Sequence, residues 1–222
     1  MWGAVIVAAG SSRRAGFDKL AALLDGEPVL CRSVRAFAEA GCDEMVVVCP
    51  EERWREVGLN RMTLPCSLRR VDGGAQRQDS VAAGLAALSP GVQWVAVHDG
   101  ARPLVTPSGI LACLRAAEET GAAACAHPVV DTLKRADAQG RSLPEPISRE
   151  GLWGMETPQI FRLELLRRAY DRVKELSRNV TDEVSAMELM GVPTRLVQTG
   201  PNMKITLPGD LELAEMLWKH RL

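Results

Sequence analysis

The sequence predicts an α/β fold in which parallel strands are joined by crossover helices. Three observations predict it. Short apolar runs alternate with stretches of helical periodicity along most of the 222 residues, the pattern of successive βα units. The composition is 46% hydrophobic and 25% charged with only 4% aromatic residues, so the core is built from Val, Leu, Ile and Ala rather than from rings. The polar motifs also follow directly on apolar runs, where an open α/β sheet binds its ligand beyond the carboxyl ends of its strands. The length suits a single domain, residues 1–222.

The elements are expected in this order. Residues 3–9 form a buried strand stopped by Gly10. Residues 28–40 carry Val29, Leu30, Val34, Phe37 and Ala38 at helical spacing, and Gly41 ends that helix. Residues 45–49 form a second buried strand closed by Pro50, and residues 67–72 a weaker third. A helix over 75–88, a strand over 94–98 and a helix over 106–120 follow, the last with Thr106 as N-cap and Pro107 at its first position. Residues 122–130 are apolar. The rhythm then breaks. Residues 131–149 are polar, carry Gly140, Pro144 and Pro146, and cannot bury a face. They suit two short strands around a turn, an arm projecting from the domain. Helices over 162–176 and 181–190, a strand over 195–198 and a final helix from Pro208 complete the chain.

Charge and cysteine content exclude several classes. The net charge is −1, so no overall field draws nucleic acid or an anionic membrane. Of the basic pairs Arg13-Arg14, Arg69-Arg70 and Arg167-Arg168, two read as solvated surface. The six cysteines form no C-x-x-C pair and the three histidines are scattered, which speaks against zinc and for reduced thiols in a reducing, cytoplasmic compartment. The first apolar run lacks a basic flank and is too short to span a bilayer, so it reads as a strand and not a signal.

The chemistry is expected after the strands. The first ends V-A-A-G-S-S-R-R-A-G-F-D-K. Gly10, Ser11 and Ser12 let backbone N–H groups approach phosphate oxygens, while Arg13, Arg14 and Lys19 bring cations to the same loop. A plain βα turn with solvated basic residues is the competing reading. Neither a Walker loop nor a G-x-G-x-x-G dinucleotide fingerprint is present. In D-G-G-A-Q-R-Q-D-S-V, Gly73-Gly74 opens a helix whose N-terminus suits an anion or a base, with Gln76, Arg77, Asp79 and Ser80 on its first turns; a glycine turn with an ordinary cap is equally open. The strand ending V-A-V-H-D-G-A-R-P offers Asp99 to the cleft as a hard carboxylate for magnesium, unless it caps the next turn, and Arg102 follows. His98 reads as a packed histidine. Thr157, Thr181 and Lys204 lie in short polar stretches that mean little singly, and Thr181 with Asp182 and Glu183 equally well starts a helix.

Taken in order, A-A-G-S-S-R-R, G-G-A-Q-R-Q-D-S-V, V-H-D-G-A-R-P, D-T-L-K-R, L-W-G-M-E-T-P-Q, T-D-E-V-S-A and N-M-K-I-T resemble the 2-C-methyl-D-erythritol 4-phosphate cytidylyltransferases from about Gly3 to Leu213. The resemblance implies a Rossmann-like, doubly wound, mixed but mostly parallel sheet with a projecting β-arm, and a homodimer locked by the arm at residues 131–149. It implies transfer of a cytidylyl group from CTP to the methylerythritol phosphate with release of pyrophosphate, a step of the non-mevalonate isoprenoid pathway that needs Mg2+. By the same resemblance Ala8, Ala9, Gly10 and Ser11 line the nucleotide, with Gly74 and Ser80 near the pyrimidine and ribose. Arg14, Lys19 and Lys204 neutralise charge at the α-phosphorus, and Asp99 serves the metal or substrate hydroxyls. Arg102, Thr132, Arg149, Thr157 and Thr181 hold the polyol phosphate, some of them from the partner subunit.

Three positions depart from that pattern: Asp18 where proline is common, Ala75 where an acidic residue often follows the double glycine, and Gly100 where alanine is common. Ala75 weakens any side-chain reading of base or ribose at that point. The nearest rival is a ribitol 5-phosphate cytidylyltransferase. A nicotinamide-dependent oxidoreductase and a non-catalytic nucleotide-binding module are the more distant ones, and the length of the chain leads us to expect no fused pathway enzyme.

Overall fold

A computed structural model describes residues 1–10 and 16–220. Its centre is a seven-stranded sheet. β1 (Trp2–Val7) leads through a two-stranded hairpin, β2 (Leu23–Leu24) and β3 (Glu27–Pro28), into α1 (Val29–Glu39) and β4 (Glu44–Val48). A short α2 (Glu51–Glu56) and a 3-10 turn at Leu59–Arg61 connect to β5 (Ser67–Val71), then α3 (Arg77–Ala87) and β6 (Trp94–Asp99). The second half runs α4 (Pro107–Thr120), β7 (Ala122–Pro128), the arm strands β8 (Lys134–Ala136) and β9 (Ser142–Pro146), β10 (Trp153–Arg162), α5 (Leu163–Glu175), α6 (Glu183–Glu188), β11 (Arg195–Val197) and α7 (Asp210–Lys219).

Strand order is β11-β7-β10-β6-β1-β4-β5. From β1 the chain winds outward through β4 and β5, returns, and lays β6 on the other side of β1, all in parallel. That reversal is the switch point where an α/β sheet opens a crevice at its carboxyl edge. β1 fills the middle because successive side chains go to opposite faces. Ala4, Ile6 and Ala8 join the core under α1 and α4 with Leu30, Phe37 and Ile110. Val5 joins the other face with Val81, Leu85, Phe161, Leu166 and Met187, beneath α3, α5 and α6.

β10 departs from the expected order. No strand was anticipated between the arm and α5, yet these ten residues lie antiparallel between β6 and β7 and make the sheet mixed. The segment hides in the sequence because Glu156, Thr157 and Gln159 are polar and Pro158 cannot donate to a ladder. The register with β7 shifts between Met155 and Gln159, so proline falls in the interruption.

Smaller corrections follow the caps. α3 starts at Arg77 and not at residue 75, because Gln76 is its N-cap and forms a capping box with Asp79. α6 is only Glu183–Glu188, capped by the Asp182 carboxylate on the Ser185 N–H. Thr106 caps α4 as expected, accepting from the Gly109 N–H. The arm is a two-stranded ribbon whose register couples Ala136 with Ser142, and the residues of both strands are exposed. All six cysteines are free thiols, five of them buried. Arg69 is not simply solvated: it pairs with the buried Glu44 carboxylate and donates to the Ala87 carbonyl. Arg70 likewise pairs with Glu51.

Candidate active site

Asp99 ends β6 at the switch point and is 8% exposed. Its backbone N–H donates to the Thr157 hydroxyl at 3.0 Å, and that hydroxyl donates in turn to His98 Nδ1 at 3.0 Å. The direction follows from the other ring nitrogen. Nε2 faces the Arg102 carbonyl at 3.3 Å, and a carbonyl only accepts, so Nε2 carries the proton. Burial pushes the His98 imidazole down to about 3, so it is neutral and packed, as its sequence context suggested.

Three cations face the Asp99 carboxylate. Lys204 Nζ lies 2.8 Å from Oδ2, Arg77 Nε 3.4 Å from Oδ1, and Arg102 Nε 3.6 Å from Oδ2. Burial alone would raise the Asp99 carboxyl, but Lys204, Arg77 and Arg102 together hold it well below the usual carboxylate range. Lys204 reaches this point because its segment is threaded along the loop after β6. Ile205 N–H donates to the Ala101 carbonyl at 2.9 Å, Arg102 Nη1 to the Asn202 carbonyl at 2.7 Å, and Asn202 Nδ2 to the Thr157 carbonyl at 2.6 Å. Lys19 arrives from the first loop and donates to the Ile205 carbonyl at 2.7 Å, one residue from Lys204. Tertiary structure thus unites two lysines that the sequence holds at opposite ends.

Behind Arg77 lies a layer that sequence reasoning did not assign. Its guanidinium donates Nη1 and Nη2 to the two oxygens of Glu183 at 2.8 and 3.0 Å, and Glu183 is fully buried. Tyr170 Oη adds a bond to Glu183 at 2.9 Å. Gln159 Oε1 accepts from the Glu183 and Val184 N–H groups, and its amide donates to Asp182 at 2.9 Å. The T-D-E block is therefore tied through Arg77 to Asp99. Its only sequence signal was an arginine on the first turn of the helix that the double glycine opens.

The nucleotide side is built from close backbone approach. A Cβ added at Gly73 would stand 2.6 Å from the Ala9 Cβ, and one at Gly74 2.3 Å from the Asp79 Cβ, so only glycine fits the turn against both neighbours. The Ser80 hydroxyl accepts from the Gly74 N–H at 3.1 Å and donates to the Gln76 carbonyl at 3.2 Å. Ser80 is 2% exposed, and its hydroxyl ties the Gly74 turn to the first turn of α3. Thr157 is 3% exposed, and its hydroxyl bonds the Asp99 N–H and His98 Nδ1. Ala8 is buried, Ala9 half-buried and Gly10 exposed at the mouth of the loop. Ser11 and Arg14, both expected in the site, lie outside the described residues.

Other expected residues are not gathered here. Thr132 and Arg149 are exposed on the arm segment, where Arg149 donates to the Val130 carbonyl, and neither bonds to Asp99, Arg102 or Lys204. Thr181 is exposed, 3.5 Å from the Ser185 hydroxyl. A cleft of about 550 Å3 lined by Arg102, Met155, Glu156, Asn202 and Lys204 opens beside Asp99, wide enough for a small phosphorylated polyol.

The residues present do not fit a magnesium ion held by the protein alone. Among the described residues no three His, Cys, Asp or Glu side chains gather as a ligand set. Asp99 turns one oxygen to Lys204 and the other to Arg77, and a third cation stands nearby. A dication would be repelled by that arrangement before it found an open carboxylate edge.

A family model described as 2-C-methyl-D-erythritol 4-phosphate cytidylyltransferase matches residues 3–220. The chain belongs to that family. The protein is therefore a cytidylyltransferase, and CTP-dependent cytidylyl transfer in the isoprenoid pathway is favoured over transfer to ribitol 5-phosphate or hydride chemistry. It is 40% identical to the 2-C-methyl-D-erythritol 4-phosphate cytidylyltransferase of Dehalococcoides mccartyi, over 98% of this chain and 96% of the relative. It is 42% identical to that of Deinococcus radiodurans, over 98% and 89%. Among solved structures, the 4-diphosphocytidyl-2C-methyl-D-erythritol synthase of Anaerococcus prevotii superposes with a TM-score of 0.84 at 25% identity, covering 98% of each chain. The Thermus thermophilus cytidylyltransferase gives 0.77 at 31% identity, covering 99% of this chain and all of its own. For this cytidylyltransferase the Rossmann-like, mostly parallel sheet follows from both its topology and these neighbours.

Proposed function

We propose that Lys19, Lys204 and Arg102 form the electrostatic centre at which CTP meets 2-C-methyl-D-erythritol 4-phosphate. The observation that carries this reading is the convergence of Lys204, Arg77 and Arg102 on Asp99, with Lys19 bonded to the Ile205 carbonyl beside Lys204. In the reaction an oxygen of the acceptor phosphate bonds to the α-phosphorus, and the bond to the bridging oxygen breaks as pyrophosphate leaves with its electron pair. The acceptor phosphate carries about −1.5 to −2 charges and approaches a triphosphate, so positioned cations matter more than a proton-transfer group. His98, neutral and packed, is not needed.

In this reading Ala8, Ala9, Gly10, Ser11 and the Gly74 turn receive the nucleotide, and Arg14 contributes a further cation. Asp99 orients Lys204 and the acceptor hydroxyls. Asp99, turned to Lys204 and Arg77, is given no part in holding a metal in this reading. Thr132 and Arg149 act across a homodimer. Support comes from the arm itself, since an isolated two-stranded ribbon is marginal in water and the nearby Val130, Leu143, Leu152 and Trp153 are exposed. Among the described residues no helix is long and apolar enough to cross a membrane.

The test is pyrophosphate release with CTP and magnesium, run in parallel with methylerythritol phosphate and ribitol 5-phosphate. Release with the first acceptor alone is expected. Release with ribitol phosphate alone would move the acceptor assignment, and silence with both from folded protein would overturn the site.

A further inference from the structure

The first βα loop leaves the sheet at Ala8 and returns at Lys19, and its two stems are joined by a residue from outside it. Arg53, on α2, donates Nη1 to the Ala8 carbonyl at 2.7 Å and to the Gly10 carbonyl at 3.2 Å. Its Nη2 donates to Asp18 Oδ2 at 3.1 Å. The Arg53 side chain is 13% exposed and that of Asp18 34%. The other Asp18 oxygen accepts from the Leu20 N–H at 3.1 Å, so the carboxylate also fixes the backbone that follows Lys19.

We propose that Arg53 and Asp18 are positioning residues that hold residues 8–10 and the stem at residues 18–19 in place for CTP. The geometry gives a reason. A trans peptide sets the N–H of one residue opposite the carbonyl of the residue before it. Drawing the Ala8 carbonyl onto Arg53 therefore turns the Ala9 N–H away from α2, and that N–H has no hydrogen-bond partner among the described residues. It is a donor left available for the nucleotide. At the other stem, Asp18 precedes Lys19, whose ammonium reaches the Ile205 carbonyl beside Lys204. Arg53 thus connects the backbone that receives the nucleotide to the stem that delivers a lysine to the reacting phosphates. The Asp18 carboxylate and the Arg53 guanidinium thereby restrict the stem by pairing.

α2 is suited to serve as the anchor. It follows β4 at the same carboxyl edge, Trp54 packs against the core beneath α1, and Glu51 is held by Arg70 at 2.7 Å. The helix is fixed from its own side, so the force on the loop comes from the Arg53 head group.

This inference rests on the reading that Ala8, Ala9 and Gly10 receive the nucleotide and Lys19 serves the reacting phosphates. Arg53→Met and Asp18→Asn, singly and together, are compared with the parent enzyme in steady-state kinetics, titrating CTP and acceptor separately, with the thermal midpoint recorded for each. Each single change is expected to raise KM for CTP about tenfold while KM for the acceptor stays put. The double variant is expected to resemble the singles, because both act through one clasp. Arg53→Lys, which keeps the charge but cannot span two carbonyls and a carboxylate, is expected between parent and Arg53→Met. An unchanged KM for CTP in Asp18→Asn, with a thermal midpoint close to the parent's, would overturn the proposal. So would an equal rise for both substrates, or strictly multiplicative effects in the double variant. Lys19→Ala serves as the control. If it loses turnover while the clasp variants bind CTP normally, the clasp alone falls; if it too behaves as parent, the nucleotide-loop reading falls with it.

Discussion

Arg77 and Glu183 meet through two parallel hydrogen bonds at 2.8 and 3.0 Å, across 106 residues of sequence, with the Glu183 side chain wholly out of solvent. The pair does more than close the protein. Arg77 also faces Asp99 at 3.4 Å, so a buried acid on α6 orients a cation in the candidate active site. Removing one partner of such a pair leaves a buried charge uncompensated, which costs about 3–5 kcal/mol. Arg77→Met should therefore destabilise the enzyme on that scale in urea unfolding and lower turnover as well. An unchanged midpoint would refute the structural weight given to the pair.

The two lysines should behave differently from Arg77. Lys19→Ala and Lys204→Ala are each expected to lower turnover by about 10²–10³-fold, the scale of one transition-state donor. Both side chains are only part-buried, so their thermal midpoints should stay close to that of the parent. Near-parental turnover in both variants would sink their assignment.

Thr157 offers a way to separate holding from binding. Thr157→Val keeps the shape and removes the hydroxyl shared by the Asp99 N–H and His98 Nδ1. A loss of stability of about 1–3 kcal/mol is expected from the orphaned buried groups, together with reduced turnover. A selective rise in KM for the acceptor with stability unchanged would instead make Thr157 a direct substrate contact.

Stability should depend on pH through His98. Its imidazole is held at about 3 in the fold by burial, against about 6.5 in an unfolded chain. Below about pH 6.5 the unfolded chain takes up a proton that the folded protein refuses, so stability is full above that value and falls as pH drops towards 3. Asp99 works in the same direction at lower pH: its depressed pKa contributes stability above the carboxylate range that is lost on further acidification. Urea midpoints measured from about pH 7 to pH 4 should begin to fall before any carboxylate titrates. A flat profile down to about pH 5 would contradict the His98 account.

The arm gives a prediction about assembly. Excising residues 137–143 removes the turn of the ribbon, where Asp137 bonds the Gln139 and Arg141 backbone. The shortened protein is expected to run as a monomer in light scattering while the parent runs as a dimer. Equal masses would refute the dimerisation role.

Much of this was legible in the chain because it is local. The apolar runs of β1, β4 and β6, the Thr106-Pro107 start of α4 and the polar arm each announce themselves within a dozen residues. Asp99 was legible too, since a carboxylate directly after a buried strand has few places to point. β10 was not. Its segment reads as a polar stretch with a proline, and only its place in the folded sheet buries Glu156, Thr157 and Gln159 with hydrogen-bond partners from other elements.

By itself the sequence determined the α/β class and the family, because periodicity, glycine turns and strand-end residues act over short spans. The tertiary structure alone decided which charges meet: Lys204 with Asp99, Arg77 with Glu183, Arg53 with Asp18. It also gave the Ser80 and Thr157 hydroxyls their partners, the Gly74 and Asp99 N–H groups. The reason is physical. A side chain's task depends on which partners are within about 3 Å and on whether water can reach it, and both are set by elements far apart in the chain.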